Sequence, residues 1–410
     1  MQHLPRVLSI VLILSFAVLP VAARAQAGVG PTDEERDQAV IRALHYLQEK
    51  VTALPDIGGS PRKQFTTATW GLVLLLVQDE RKYKAAVPDA AEQLRKVMDY
   101  VTAYVAEVER RSRDPKQLPS KPGMLGTNSI IQYNWPLGVT ALFLAEAHER
   151  NVLKAEAKAL LARVVTILHE AQQENGGWGH GLTSPQGEPS TFGIDGYPDT
   201  LVAAADLVGA AVGVGYKVLK VKEKAGLEEA AQYFSTAQLD NGNFPYDPSQ
   251  RSAQGDSTGA GRTAGAVFAL AAMGVRLDSP TIQKGARYIQ ENMADLSEGH
   301  GSAALNLLYG ALACHLLQGE YWTGFERKFF RPILQHQMED GSFECICEGR
   351  VFGSTNDSKG LAGMSGFGGG AFEDGTTAYV TALHTWILLL DSAKPKYVPG
   401  GKAGATTGGK

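Results

Sequence analysis

Four carboxylates in two Gly-containing segments are the first candidates for chemistry. Asp195 and Asp199 stand in "DGYPDT", and Glu373 and Asp374 stand in "FEDG". Two carboxyl groups can divide the roles of general acid and general base when their surroundings move their pKa values apart. Their separation decides whether they act as a pair. The sequence therefore makes Asp195, Asp199 and Asp374 candidate catalytic residues, without supplying that separation.

Aromatic, cationic and acidic residues also stand where loops lead into apolar segments. Helix N-termini carry partial positive charge and unpaired N–H groups, which favour anions and polar ligand groups. Residues at such positions are predicted to line a ligand-binding mouth, or alternatively to form a polar network between helices. They are Tyr133, Trp135, Tyr197, Arg262, His300 and Glu373. Hydroxyl residues nearby are predicted helix caps: Thr200, Thr263, Ser302 and Thr377.

The N-terminal segment has the features of a secretory signal peptide. "MQHLPR" carries one Arg, "VLSIVLILSFAVLPVA" is apolar, and small residues allow cleavage after Ala25 or Ala27. An uncleaved membrane anchor is the alternative, but the apolar run is short for a full span. The sequence predicts a signal peptide over 1–27, export to the periplasm or the extracellular space, and no stable membrane insertion after cleavage.

Charge and composition limit the partners of the remaining chain. The protein has 43 acidic and 39 basic side chains with no basic stripe, so nucleic acid is not an expected partner. Residues 392–410 are rich in Gly, Lys, Ala and Thr and are predicted to form a disordered tail. One domain over 28–391 remains. The sequence does not indicate its oligomeric state.

Three cysteines are too few for a disulfide framework. Cys345 and Cys347 form Cys-x-Cys, and Cys314 lies in an apolar segment. Export favours a disulfide, while isolated thiols and a metal site with a nearby His remain alternatives. The Gly-rich segment 360–375 lacks the Lys of a phosphate-binding loop. No cofactor or metal is predicted.

Helical periodicity dominates the chain, and two kinds of helix alternate. Six predicted helices are amphipathic, with one face for water and one for a core. They cover residues 33–51, 90–111, 151–173, 223–238, 279–293 and 324–337. Six others are apolar nearly all round and should be buried. They cover residues 66–77, 133–149, 199–214, 262–275, 301–317 and 376–390.

This alternation predicts an all-α fold, an α/α toroid of about six helical hairpins. The apolar helices would form an inner ring and the amphipathic helices an outer ring. A right-handed solenoid of the same hairpins is the alternative. The count of six and the apolar final helix favour a closed ring, because an open solenoid needs a polar cap at each end.

Three joints between outer and inner helices share one pattern of Gln, Asn or Asp, Gly and an aromatic residue. They read "QQENGGWGHG", "QLDNGNFPYD" and "QMEDGSFECI". Gly following Asn or Asp suits the end of a helix, because Gly accepts a positive φ. The predicted structural residues are Gln173, Gly177, Trp178, Gln238, Gly242, Phe244, Gln337, Gly341 and Phe343. His180 has no counterpart in the other two joints.

These joints resemble the QW repeats of the terpenoid cyclase and protein prenyltransferase superfamily. "GLEEAAQYFSTAQLDNGNF" matches best, and the resemblance covers most of residues 33–390. It implies the six-hairpin toroid as the fold. The activity motifs of that superfamily are absent: the chain has no D-x-D-D sequence and no Asp-x-Cys zinc pair. His384 alone falls roughly where a zinc-binding His would lie.

Three functions therefore remain open from the sequence. The first is an exported toroid protein that binds a small apolar, isoprenoid-like ligand in its central cavity. The second is a carbohydrate-active enzyme, a polysaccharide lyase or a glycosidase, that binds a glycan. The third is a non-catalytic repeat protein that presents a surface to a partner.

Overall fold

The protein is an all-α toroid, and the residues that the structure describes form twelve long helices in two concentric layers. The structure, a computed structural model, describes residues 30–52, 61–112, 134–179, 202–222, 225–246, 248, 259–297, 302–344, 346, 372–392 and 395–396. The outer helices are α1 (Asp33–Thr52), α4 (Ala90–Ser112), α6 (Lys154–Glu170), α8 (Ala225–Ala237), α10 (Pro280–Glu291) and α12 (Glu320–Gln335). The inner helices are α2 (Pro61–Leu76), α5 (Asn134–Glu149), α7 (Val202–Leu219), α9 (Ala260–Ala272), α11 (Ala303–Leu317) and α13 (Phe372–Leu389). A short helix that the sequence did not predict, α3 (Arg81–Ala86), follows α2.

The inner helices close into a ring in the order α2, α5, α7, α9, α11, α13 and back to α2. The last contact decides between the two predicted architectures, because an open solenoid keeps its first and last inner helices apart. Phe65 of α2 packs edge-to-face on Tyr379 of α13, with ring centroids 5.4 Å apart. The solenoid alternative is therefore wrong and the toroid is confirmed.

Glycine residues let neighbouring inner helices approach closely. A Cβ atom at Gly71 of α2 would lie 2.7 Å from the ring of Phe143 on α5. One at Gly138 of α5 would lie 2.9 Å from Leu207 on α7. Both members of each pair stand at similar positions along their helices, so the inner helices run parallel. We call the end with their N-termini the mouth end and the opposite end the far end.

The three joints share one hydrogen-bonding geometry. In the first joint, the Gln that takes part in it is not the predicted one. The side-chain Nε2 of Gln238 donates to Gly242 O and Thr281 O, and that of Gln337 donates to Gly341 O and Ala39 O. In the first joint this role belongs to Gln172, which donates to Gly176 O and Gly226 O.

The prediction of Gln173 and Gly177 for the first joint is therefore wrong by one residue. Gln173 is adjacent to Gln172, and two consecutive Gln residues left the register ambiguous in the sequence. The backbone angle resolves it, since Gly176 has φ +84°, close to the +92° of Gly242 and +91° of Gly341. Gly177 instead donates its N–H to Asn175 Oδ1.

Each of these glycines packs on the backbone of the next outer helix. A Cβ atom would lie 2.3 Å from Glu229 O at Gly176, and 2.4 Å from Lys284 O at Gly242. At Gly341 it would lie 2.4 Å from Arg42 O, on the first outer helix of the chain. The joint that follows the last outer helix therefore docks on α1 and closes the outer layer as well.

The aromatic residue of each joint is fully buried: Trp178, Phe244 and Phe343. The indole N–H of Trp178 donates to Leu168 O at the end of the preceding outer helix. The backbone N–H of Phe244 donates to the hydroxyl of Thr263. Thr263 thus supports a joint, and the predicted capping role is wrong, because Gly259 occupies the N-cap of α9.

At the far end, a residue that follows α13 contacts α5. Glu146 is fully buried and forms an ion pair with Arg150, which also pairs with Asp79 at 2.6 Å. The backbone N–H of Lys396 donates to Glu146 Oε2 at 2.8 Å, and Pro395 is buried. Both residues belong to the segment predicted as a disordered tail, so the start of that segment instead packs on the ring.

A helix that spans a bilayer must be both long and apolar. Among the described helices, none combines the length and the apolar character needed to span a membrane.

Candidate functional site at the mouth end

The candidate site forms where side chains of three inner helices meet above one glycine. Asp206 of α7 and Tyr309 of α11 both reach Gly265 of α9. A Cβ atom at Gly265 would lie 2.6 Å from Asp206 Oδ2 and 3.0 Å from Tyr309 Cδ2. Helices α7 and α11 are separated in the ring by α9, so their side chains meet on the side of α9 that faces the ring axis.

Burial dominates the electrostatics of Asp206. It raises the pKa of the carboxyl group well above its usual range, although the Leu207 N–H, the Tyr309 hydroxyl and the Arg262 guanidinium each lower it. The Leu207 N–H donates to Asp206 Oδ1 at 2.6 Å. An ionised carboxylate is costly in low dielectric surroundings, so the neutral acid is favoured.

Tyr309 is buried beside this acid. Burial and the negative charge that Asp206 carries when ionised raise the pKa of Tyr309 well above its ordinary value. Its hydroxyl is close enough to Asp206 for each group to affect the pKa of the other. Within the described ranges, however, the Tyr309 Oη atom completes no hydrogen bond of good geometry. The Tyr309 hydroxyl therefore approaches Asp206 without completing a hydrogen bond of good geometry, and its O–H can turn to a ligand oxygen that enters beside them.

Further polar and aromatic contacts connect α11 to α13 and α2. The hydroxyl groups of Ser302 and Tyr379 lie 3.0 Å apart, and the ring of Tyr379 packs on Phe65. Ser302 is also the N-cap of α11, where its hydroxyl accepts the N–H of Leu305, as predicted. Aromatic and hydroxyl side chains thus follow the acid around the axis.

Arg262, a predicted mouth residue, is buried and serves the neighbouring joint. Its Nε donates to Phe244 O at 2.9 Å, and its guanidinium carbon lies 5.9 Å from the ring centroid of Tyr246. Its positive charge also acts on Asp206. Arg262 therefore combines the two interpretations left open by the sequence: it belongs to a polar network between helices, and it sets the potential at the mouth end.

Trp135, another predicted mouth residue, is buried at the start of α5. Its neighbour Asn134 donates a side-chain N–H to Gly179 O at 2.5 Å, which ties α5 to the joint after α6. The remaining predicted site residues lie outside the described residues, or on a described helix whose side chains there are not described. The first group is Tyr133, His180, Asp195, Tyr197, Asp199 and His300, and the second is Glu373 and Asp374.

The thiol and metal hypotheses are tested only for part of the chain. Cys314 is a free, buried cysteine, and burial raises its pKa to about 12. Of the three alternatives left open by the sequence, the structure therefore has Cys314 as an isolated thiol, while Cys345 and Cys347 lie outside the described residues. Across the ranges that are described, His, Cys, Asp and Glu form no group of three that could hold a metal ion.

His384 packs on the third joint. It is fully buried, with its ring centroid 5.6 Å from that of Phe343 in the third joint. Burial first, and the charge of His336 second, lower the pKa of His384 to about 3. An imidazole in such surroundings stays neutral at physiological pH.

Sequence reasoning missed Asp206 and Tyr309. The signal was present, since Asp206 is the single charged residue within "TLVAAADLVGAAVGV". A lone Asp in an apolar inner helix must be buried. Its partner was beyond reach of the sequence, because Tyr309 lies more than a hundred residues further along the chain, on a helix that is not adjacent in the ring.

Solved structures of other proteins are similar to this chain over most of its length. A substituted glycosidase matches with a TM-score of 0.52 and 14% identity, over 90% of this chain and 100% of that one. A second glycosidase form, in complex with glucose, has a TM-score of 0.51 and 14% identity, over 90% and 100%. The type II terpene cyclase MstE from Scytonema, in complex with geranylgeranyl dihydroxybenzoate, has a TM-score of 0.48 and 14% identity, over 88% and 97%.

No protein-family model and no curated protein sequence matches the chain. At identities this low, the similarity describes the fold and leaves the activity undetermined. The fold is the α/α toroid that the joints predict, and the two glycosidase structures share it.

Proposed function

We propose that this protein binds a small apolar, isoprenoid-like ligand along the axis of its inner ring, with the neutral carboxyl group of Asp206 holding the ligand's polar end. One observation carries this proposal: a buried carboxyl group with a raised pKa faces the ring axis among apolar helices. A neutral carboxyl donates a hydrogen bond, as an ionised one cannot.

The inner helices supply the apolar part of such a site. On α5, all residues from Asn134 to Ala147 are buried, and most of them are apolar. Burial of an apolar ligand stabilises a complex by about 25 cal/mol per Å² of apolar surface removed from water. A few hydrogen-bonding groups then orient the ligand, which is the usual composition of a small-molecule site.

Glycoside hydrolysis is the second candidate function, and the raised pKa of Asp206 favours it as well. Glycosidases use a carboxylic acid with a raised pKa as the general acid, together with a second carboxylate. Asp195, Asp199 and Asp374 remain the candidates for that second group, and Tyr197, His300 and Glu373 the candidates for glycan contacts.

Export also remains a proposal, and it rests on the signal-peptide pattern of residues 1–27. Sequencing the N-terminus of protein from its own host tests it. A mature chain that begins near Gly28 is expected, and a chain that retains Met1 or Gln2 contradicts export by cleavage.

Native mass spectrometry of protein purified from its own host tests the ligand proposal. We expect one bound apolar molecule, released by organic extraction. Asp206→Leu should reduce occupancy at least tenfold, while Asp206→Asn, which stays polar, should retain more. Asp278→Asn is the matched control, because Asp278 lies exposed in a far-end turn.

Two other outcomes contradict ligand binding by Asp206. Protein that carries no apolar molecule, or occupancy that is equal in all variants, removes the proposal. Release of reducing sugar from a polysaccharide panel, abolished by Asp206→Asn and unchanged by Asp278→Asn, establishes the glycosidase alternative instead.

A further inference from the structure

Asp206 and Tyr309 place two oxygen donors at one point of the mouth end. They come from inner helices that are not adjacent, and they meet over Gly265 because that residue has no side chain. Both are buried, and the Tyr309 hydroxyl completes no hydrogen bond among the described residues. We propose that Asp206 and Tyr309 form a two-donor site for a ligand oxygen that carries partial or full negative charge: a carbonyl, an enolate or a phenolate.

The chemistry of the two donors supports this class of ligand. A phenol and a protonated carboxyl each present one O–H, and neither brings negative charge to the oxygen it contacts. Hydrogen bonds are stronger in low dielectric surroundings, and preorganised donors need no rearrangement when they meet charge. The burial that keeps Asp206 protonated therefore also strengthens its hydrogen bond to an anionic oxygen.

Arg262 adds positive potential at the same place. Its guanidinium lowers the pKa of Asp206, which shows that its field reaches the carboxyl group. It is held by Phe244 O and by the ring of Tyr246, so its charge has a fixed position. An anionic oxygen between Asp206 and Tyr309 experiences the same field and is stabilised by it, as the ionised carboxylate of Asp206 is.

Gly265 sets the geometry of the pair. A methyl group there would meet Asp206 Oδ2 at 2.6 Å and the Tyr309 ring at 3.0 Å, so both side chains would have to move. Gly209, on α7, is a matched control, because a methyl group there would meet its nearest neighbour, Phe234, at an ordinary 3.4 Å. Gly265→Ala should weaken the binding of an oxygen-bearing ligand, and Gly209→Ala should not.

The inference rests on the proposed function, since a ligand must first enter the ring, and two probes separate the two ideas. Naphthalene tests apolar binding alone. 2-Naphthol has the same ring system with one ionisable oxygen, and its fluorescence distinguishes the neutral from the ionised form. Both are titrated against the full-length protein at constant pH and ionic strength.

We expect 2-naphthol to bind at least tenfold more tightly than naphthalene. Tyr309→Phe, which retains the ring, should remove that tenfold preference and leave naphthalene binding unchanged. Tyr216→Phe is the control, since the hydroxyl of Tyr216 contacts His169 on the outer surface. Circular dichroism and thermal unfolding of each variant verify that it folds.

The possible outcomes distinguish the two-donor site from apolar ligand binding. Binding of both probes with equal affinity, unaffected by Tyr309→Phe, overturns the two-donor site while apolar binding stands. Failure of naphthalene to bind, with tight binding of 2-naphthol that depends on Tyr309, supports the two-donor site and overturns the apolar ligand. Failure of both probes to bind overturns both.

Discussion

Two buried carboxyl groups on neighbouring inner helices differ in their partners: one forms an ion pair, and the other lies beside a hydroxyl group. Glu146, near the C-terminus of α5, lies at the far end between Arg150 and the backbone N–H of Lys396. Asp206, near the N-terminus of α7, lies at the mouth end beside a tyrosine hydroxyl, with its pKa raised by burial. The far end compensates its charge with a cation, whereas the mouth end is built to keep its acid neutral.

The two ends therefore differ in how much hydrogen-bonding capacity their buried carboxyl groups retain. An ion pair with saturated hydrogen bonds leaves little capacity for a ligand, and breaking it is expensive. A neutral acid beside a hydroxyl with spare capacity stabilises the fold less and retains hydrogen bonds for something else. The same six-hairpin ring therefore carries an ion-paired carboxyl group at one end and an uncharged carboxyl group at the other.

The largest effect is expected when the cation is removed from the far end. Arg150→Met leaves Glu146 buried without its ionic partner and should lower the free energy of unfolding by about 3–5 kcal/mol. Arg276→Met is the control, because Arg276 pairs with Asp278 on the exposed surface and should cost at most about 1 kcal/mol. Urea denaturation measures both, and equal losses contradict the structural role of the far end.

A smaller effect is expected from the joint that closes the outer layer. Gly341→Ala forces a positive φ on Ala and drives its Cβ against Arg42 O, so we expect a loss of about 2–3 kcal/mol. Gly274→Ala, at a far-end turn, has the same φ problem with open space around it, and should cost about 1–2 kcal/mol. Thermal unfolding compares them, and a Gly341→Ala loss no larger than that of Gly274→Ala argues against docking on α1.

His384 extends the comparison to a buried base without an ionic partner. Its pKa is lowered to about 3 in the folded protein, while the unfolded chain binds a proton near pH 6.5. The unfolded state therefore gains protons first as the pH falls, and stability decreases between pH 6.5 and pH 3. At pH 5 the loss from this group should be about 2 kcal/mol.

The stability difference between the native protein and His384→Gln, measured at pH 8 and at pH 5, isolates that contribution. The native protein should lose more stability than the variant on acidification. Parallel losses in the two proteins show that His384 becomes protonated in the folded state and is not sealed from water.

The smallest effect is expected for Asp206→Asn at pH 4. The folded protein already holds Asp206 neutral, so the isosteric amide should change the free energy of unfolding by less than about 1 kcal/mol. As the pH rises above about 3.9, the unfolded Asp ionises while the folded one stays protonated. The native protein therefore loses stability relative to Asp206→Asn, until Asp206 ionises in the folded state.

Chemical denaturation of both proteins between pH 4 and pH 8 measures this change. A stability gap that moves the other way, in favour of the native protein as the pH rises, shows that Asp206 is ionised and paired. In that case the two ends of the ring would not differ in the way their partners indicate.

The helices and their layers could be predicted from the sequence because they depend on local patterns. "DEERDQAVIRALHYLQEKV" is amphipathic and "GSAALNLLYGALACHLL" is apolar all round, and their alternation requires an outer and an inner layer. Two of the three joint glycines, Gly242 and Gly341, could also be predicted, since a positive φ after Asn or Asp is a local requirement. Where two Gln residues were adjacent, the local pattern selected the wrong one.

The sequence by itself determined the six hairpins, their joints and the apolar character of the inner ring. Only the tertiary structure decided that the outer layer is closed by Gly341 on α1, that Asp206 meets Tyr309 over Gly265, and that Lys396 reaches Glu146. The physical reason is that each of these contacts joins residues distant in the chain, and their meeting depends on how the helices pack. The roles of the two buried carboxyl groups follow from that packing, since it sets the partner and the burial of each.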